Sequence, residues 1–312
     1  MNLKGRSFIT LKDYTKEEIE YLIELAAQLK SKKKAGITGT SLKGKNVGLI
    51  FEKPSTRTRC AFTIGVNDEG GFPTYLSGNE IQLGEKESIE DTARVLGRMF
   101  DGLEFRGFKH AHVEALANYS GVPVWNGLTD DYHPTQALAT FLTIKEKFGD
   151  FQGLTIAYIG DGRNNVANSL MICCSKLGVD FINITPKVLN PDPVLVAECE
   201  NYAAVSGATI TITDSMDAVK NANALYTDVW YSMGEESKKA ERLALLKSYQ
   251  INQTVMSQAK PGAIFMHCLP ANKGMEVTED VFEGPDSTVF DEAENRLHTI
   301  KAIMVSMLGE NE

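Results

Sequence analysis

A chain of 312 residues, 43% hydrophobic and 23% charged, can build one large or two medium domains around a full core. Its net charge of −9, with no basic face standing out, argues against a nucleic-acid partner, and no apolar run of roughly 18 residues is present to span a membrane. The five cysteines (Cys60, Cys173, Cys174, Cys199 and Cys268) are odd in number and hold no CxxC pair, so neither a disulfide framework nor a zinc cluster fits and no metal is expected.

In chain order, the first residues, MNLKGRSFITLKDYT, have neither an apolar signal core nor a transit composition, which predicts a cytoplasmic protein. TKEEIEYLIELAAQLKSKKK reads as a helix: Thr15 and Glu18 form a capping box, and Ile19, Leu22, Ile23 and Ala26 share a face. The strand KNVGLIF follows, then a helix opening at STRTR and ending at Gly70 and Gly71, a short strand PTYL, and a loop, SGNEIQLGEKES. A helix over 88–99, a strand over 102–108 ending near Arg106, a helix over 112–119, the strand VPVWNGL and a long helix over 134–148 complete this part.

GDFQG punctuates the chain at 149–153, after which the alternation restarts. LTIAYIG, DFINIT, ATITIT, ALYTDVW and AIFMHCLP read as strands, with helices over NNVANSLMICCSKLG, 193–206 and 216–220 between them and a last helix over 292–307. Strands alternating with helices predict an α/β fold: two doubly wound parallel-sheet domains, divided near residue 150. In such sheets ligands bind at the carboxyl ends of strands. The residues at 55–59, Arg106, His133, Asn164 and Asn165, 228–234, and His267 with Cys268 all fall there, which points to one active site in the cleft between the two domains.

Each motif has a plain structural reading beside a functional one. Ser and Thr in STRTR can simply cap a helix. They can also join Arg57, Arg59 and the helix N-terminus in holding a phosphate. GDGRNN invites a dinucleotide reading, but Asn165 stands where the third glycine belongs, and the next strand ends in Thr185 and Pro186 with no acid for a ribose. The two asparagines are then caps or contacts to a polar substrate. In HPTQ, Pro134 sits just inside a helix, and His133 alone reads as a cap or a core histidine. Arg106 at a strand end is harder to explain without a partner. HCLP could offer a metal pair, but no other His/Cys cluster supports one. Cys268 as a nucleophile needs a base, and strand alternation sends the adjacent His267 to the other face. The segment DVWYSMGEE ends a strand at Asp228 and turns at SMG.

Taken together, STRTR, RGF, HPTQ, GDGRNN, DxxxSMG and HCLP resemble the aspartate/ornithine carbamoyltransferase superfamily over nearly the whole chain, and SMG with HCLP resemble its ornithine enzymes. The resemblance implies that Ser55, Thr56, Arg57 and Thr58 bind carbamoyl phosphate, joined by Gln82 from a loop approaching a neighbouring subunit. Arg106, His133 and Gln136 would surround the carbamoyl group, and Arg296 would add a further contact. Asn165, Asp228, Ser232 and Met233 would bind ornithine, with Cys268 and Leu269 beside the reacting amine and the carbamoyl nitrogen. Arg106, His133, Asp228 and Cys268 would be the catalytic set. A carbamoyl-phosphate domain over 1–148, with 291–312 returning to it, and an ornithine domain over 149–290 are expected. A homotrimer or multiple of trimers is implied, and no cofactor. Putrescine or acetylornithine as acceptor, and a silent anion- or amino-acid-binding regulator, are the rival readings.

Overall fold

The computed structural model describes residues 1–78, 81, 87–231 and 236–309. The chain divides into two compact units, one of residues 1–142 with 294–312 and one of residues 143–293. Both are parallel α/β sheets.

The first unit holds β1 (Asn46–Phe51), β2 (Phe72–Ser77), β3 (Gly102–Arg106) and β4 (Val124–Leu128) in the order β2-β1-β3-β4, all parallel. Its helices are α1 (Lys16–Lys34), α2 (Thr56–Asp68), α3 (Ile89–Leu96) and α4 (His110–Ser120), with α5 (Pro134–Phe148) crossing the division. The capping box at Thr15 and Glu18 is present, and Ile19, Leu22, Ile23 and Ala26 are all buried. Every residue of β3 is buried, as a parallel strand covered on both faces requires. The β4 edge is covered by Phe8, whose N–H donates to Val124 O and whose carbonyl accepts from Asn126 N–H.

The second unit holds β5 (Thr155–Ile159), β6 (Asp180–Ile184), β7 (Ile210–Thr213), β8 (Ala224–Thr227) and β9 (Ile264–His267) in the order β7-β6-β5-β8-β9, again parallel. The helices α6 (Asn165–Leu177), α7 (Pro193–Ser206), α8 (Lys239–Leu246), α9 (Gln253–Gln258) and α10 (Glu279–Phe282) surround it. The helix expected over 216–220 is instead a 3-10 helix, Met216–Asn221. A last helix, α11 (Val289–Leu308), starts three residues earlier than its apolar pattern suggested.

Beyond the division, α11 packs as part of the first unit. Lys30 on α1 donates to Asn295 at 2.7 Å, and the almost fully buried Lys301 donates to Asp68 of α2 at 2.8 Å. The chain reverses direction across each sheet between β1 and β3 and between β5 and β8. These switch points are where open α/β sheets bind ligands.

Candidate active site

In the first unit the switch point is occupied by cations and hydroxyls. Ser55 caps α2, its Oγ accepting from Thr58 N–H at 3.3 Å. Thr58, fully buried one turn into the helix, accepts from two guanidiniums: Arg106 Nη1 at 3.3 Å and Arg296 Nη2 at 3.1 Å. Arg296 Nη1 also donates to Gln136 Oε1 at 2.8 Å and faces His133 Nε2 at 3.3 Å. Five of the predicted residues thus converge from α2, β3, the start of α5 and α11. The two arginines of STRTR part company. Arg57 is half-buried and close enough to act on the charge of His133, whereas Arg59 is exposed and stacks on the Tyr75 ring at 3.7 Å.

The β3–β4 register slips between Phe105 and Arg106, so that Arg106 pairs with Leu128 and Gly127 is skipped. The extra residue lies on β4, so it is that strand which bends beside Arg106. The following turn is held by Glu52, whose Oε2 accepts from Phe108 N–H at 3.0 Å.

His133 is buried, and that burial, reinforced by Arg296, Arg106 and Arg57, holds its pKa well below the usual histidine value. It is a neutral imidazole at pH 7. Guanidinium N–H groups only donate, so the Nε2 facing Arg296 is the unprotonated nitrogen. Nδ1 carries the proton and lies 3.4 Å from Thr135 Oγ1.

In the second unit the switch point is organised around Asp228, directly after β8. Its Oδ1 accepts from Val229 N–H at 2.8 Å and from Cys268 Sγ at 3.1 Å, and its Oδ2 accepts from Asn164 Nδ2 at 2.9 Å. Asn164 is also the cap of α6, its Oδ1 accepting from Val166 N–H at 2.7 Å. The doublet therefore divides its work: Asn164 caps and orients Asp228, and Asn165 is the first helical residue. Sequence reasoning marked both asparagines as caps or substrate contacts and assigned only Asn165 to ornithine. Gly162 of GDGRNN is explained without a dinucleotide, since a Cβ there would lie 2.8 Å from Leu189 O and from Thr185 Cγ2.

The expected separation of His267 and Cys268 does not hold. β9 stops at His267, so strand alternation no longer governs Cys268, and the ligand-forming atoms of Asp228, His267 and Cys268 lie within 4.8 Å of one another. His267 Nδ1 is engaged by Leu269 N–H at 2.8 Å. Leu269 itself has φ 58° and precedes a cis bond to Pro270. Gln82, Ser232 and Met233 lie outside the described residues.

Comparison with known proteins agrees with this layout. Residues 6–146 match the carbamoyl-P binding domain of the aspartate/ornithine carbamoyltransferases, and residues 152–307 match their Asp/Orn binding domain. The chain belongs to this family. A protein of Bacillus licheniformis named catabolic ornithine carbamoyltransferase is 55% identical, over 99% of this chain and 98% of that one. The ornithine carbamoyltransferase of Caldanaerobacter subterraneus is 54% identical, over 98% and 99%. The solved ornithine carbamoyltransferase of Pyrococcus furiosus superposes with a TM-score of 0.96 at 45% identity, each chain covered completely. Among the described residues no helix is long and apolar enough to cross a membrane.

Proposed function

We propose that this carbamoyltransferase transfers the carbamoyl group of carbamoyl phosphate to the side-chain amine of L-ornithine, giving L-citrulline and phosphate. The observation that carries the reading is the convergence of Arg106 and Arg296 on Thr58, one turn inside a capped helix N-terminus at a sheet switch point. Free helix N–H groups and two fork-shaped cations form a receptor for a phosphate oxyanion. Ser55, Thr56, Arg57 and Thr58 take the phosphate in this reading, with Gln82 and Arg296 as further contacts. Arg106 reaches both the phosphate and the carbamoyl group in this reading, and His133 and Gln136 take the carbamoyl group.

The chemistry follows from these groups. The neutral amine of ornithine attacks the carbamoyl carbon, forming the C–N bond and a tetrahedral oxyanion. Arg106 donates to that oxygen, as an oxyanion hole does. Arg296 turning toward the phosphate frees His133 Nε2, and a shift of the imidazole proton to that nitrogen makes His133 a second donor. The C–O bond to phosphate then breaks, the electron pair leaves with the phosphate, and a phosphate oxygen takes the proton lost by the amine. Asp228 pairs with the α-ammonium of ornithine and fixes its direction, with Asn165, Ser232 and Met233 completing that subsite. Cys268 and Leu269 lie beside the amine and the carbamoyl nitrogen.

We also infer a cytoplasmic protein assembling as a homotrimer or a multiple of trimers. The cysteines support a reducing compartment, since Cys60, Cys173, Cys174, Cys199 and Cys268 form no disulfide among the described residues. Light scattering on the purified protein tests the assembly. Phosphate release from carbamoyl phosphate, followed with and without ornithine, tests the reaction: release should require ornithine and match citrulline one for one, whereas ornithine-independent release contradicts it.

A further inference from the structure

Glu104 lies two residues before Arg106 on β3, so both side chains leave the same face of the strand. Its carboxyl is fully buried, and neither oxygen has a hydrogen-bond partner among the described residues. A lone carboxylate in such a place is costly unless a cation or a proton neutralises it. The group lies beside the anion receptor. The point that a Cβ on Gly127 would occupy is 2.1 Å from Glu104 Oε1 and 3.2 Å from Thr58 Cγ2. The charges acting on it are Arg106, from its own strand, and Arg296, from α11. These are the two guanidiniums that meet at Thr58. Of the other groups described in the cluster, His133 at the start of α5 is neutral, and Arg57 on α2 acts on His133.

Burial raises the Glu104 pKa well above the usual carboxylate value, and the two arginines act against that rise. Burial prevails over them in the empty site, and an anion that claims those arginines removes what opposes the rise. Resting on the anion-site reading above, we propose that Glu104 is a proton-coupled positioning residue: when ionised in the empty site it balances Arg106 and Arg296, and it takes up a proton from solvent when a phosphate dianion claims them. No bond other than the carboxyl O–H forms, and the proton comes from the buffer. Anion affinity should then fall as pH rises, because above the empty-site pKa the incoming dianion must protonate Glu104 or be repelled by it. With Gln at this position no proton is needed.

The test is calorimetric titration with phosphonoacetamide, an inert mimic of carbamoyl phosphate, from pH 6 to 9 in pairs of buffers with different ionisation heats. Wild type should take up more protons on binding than Glu104→Gln, with the excess peaking in one pH window. Its affinity should drop relative to the variant by about tenfold for each unit by which binding shifts the group. Glu104→Leu, which fills the site with apolar atoms, should behave as the Gln variant does and serves if that variant folds poorly. Proton uptake by wild type no greater than that of the variants overturns the role of Glu104 and leaves the anion site standing. Failure of wild type to bind the mimic at any pH overturns the anion site and the inference with it.

Discussion

Arg296 Nη1 donates to Gln136 Oε1 at 2.8 Å, across 160 residues of sequence. The contact makes the last helix part of the anion receptor, because the other amino group of the same guanidinium donates to Thr58 at 3.1 Å. Arg296→Lys keeps a charge but loses the fork that meets both partners. It should raise KM for carbamoyl phosphate at least about tenfold, the consequence of losing one charge-assisted bond, while KM for ornithine changes little. Steady-state kinetics with each substrate varied in turn checks this, and equal KM values for carbamoyl phosphate in wild type and variant contradict it.

Arg57 is half-buried at the same helix terminus and influences the charge of His133. Arg57→Ala should weaken binding of the phosphate substrate about 10- to 150-fold, from the roughly 1.5–3 kcal/mol of a bond to a charged group. Arg59→Ala loses only an exposed stacking contact with Tyr75 and should leave binding almost unchanged. Calorimetry on the two variants separates an anion site from a capping sequence, and similar affinities in both would favour capping alone.

Asn164 carries two functions that substitution can divide. Asn164→Ala removes the α6 cap and should cost about 1 kcal/mol of stability together with the bond to Asp228. Asn164→Asp keeps a capping oxygen but sets a second carboxylate against Asp228. Its melting temperature should stay near that of wild type, while kcat/KM for ornithine falls on the order of 10²-fold through lost orientation. Thermal melts with parallel kinetics check the pair. An Asp variant as active as wild type would remove Asn164 from the account of Asp228.

Acid stability should depend on Asp68. Burial alone would raise its pKa, but the hydrogen bonds from Lys301 and Lys33 outweigh this and hold it below the ordinary value. A group depressed in the folded state contributes stability above its unfolded pKa and loses it as pH falls through the folded value. The stability difference between wild type and Asp68→Asn should therefore be constant at neutral pH. It should begin to shrink as pH drops through about 3.9, the unfolded aspartate value. Urea unfolding across pH 2.5–7 measures it, and a difference independent of pH would exclude the linkage.

Much of this arrangement was legible in the sequence where local physics decides the outcome. Thr15 with Glu18, Ser55 before α2, and Pro134 opening α5 are local signals, and each marks the helix start that it should. The parallel strands were legible as apolar runs, and the odd polar residues at their ends marked both switch points. What escaped depends on tertiary partners. α8, α9 and α10 are short, with few buried residues to give them a readable period. β8 ends at Thr227, one residue before the expected Asp228, where the Thr227 hydroxyl donates to Ile159 O. His267 and Cys268 come close because the chain leaves the strand between them. Nothing local distinguishes Glu104 in GLEFR from a solvated carboxylate; only the fold buries it between two arginines' influence.

Ornithine as the acceptor is the central claim, and Asp228 is the residue assigned to recognise it. The most direct measurement is the rate of carbamoyl transfer from carbamoyl phosphate to ornithine, putrescine, acetylornithine and aspartate, by wild type and by Asp228→Asn. Wild type should prefer ornithine over all the others, and the Asn variant should lose on the order of 10²-fold or more in kcat/KM for ornithine, since orientation lost at Asp228 is felt in the transition state. Its affinity for carbamoyl phosphate should hardly change. Preference of wild type for putrescine, which has no α-amino acid head, or an Asn variant as efficient as wild type on ornithine, would contradict the account.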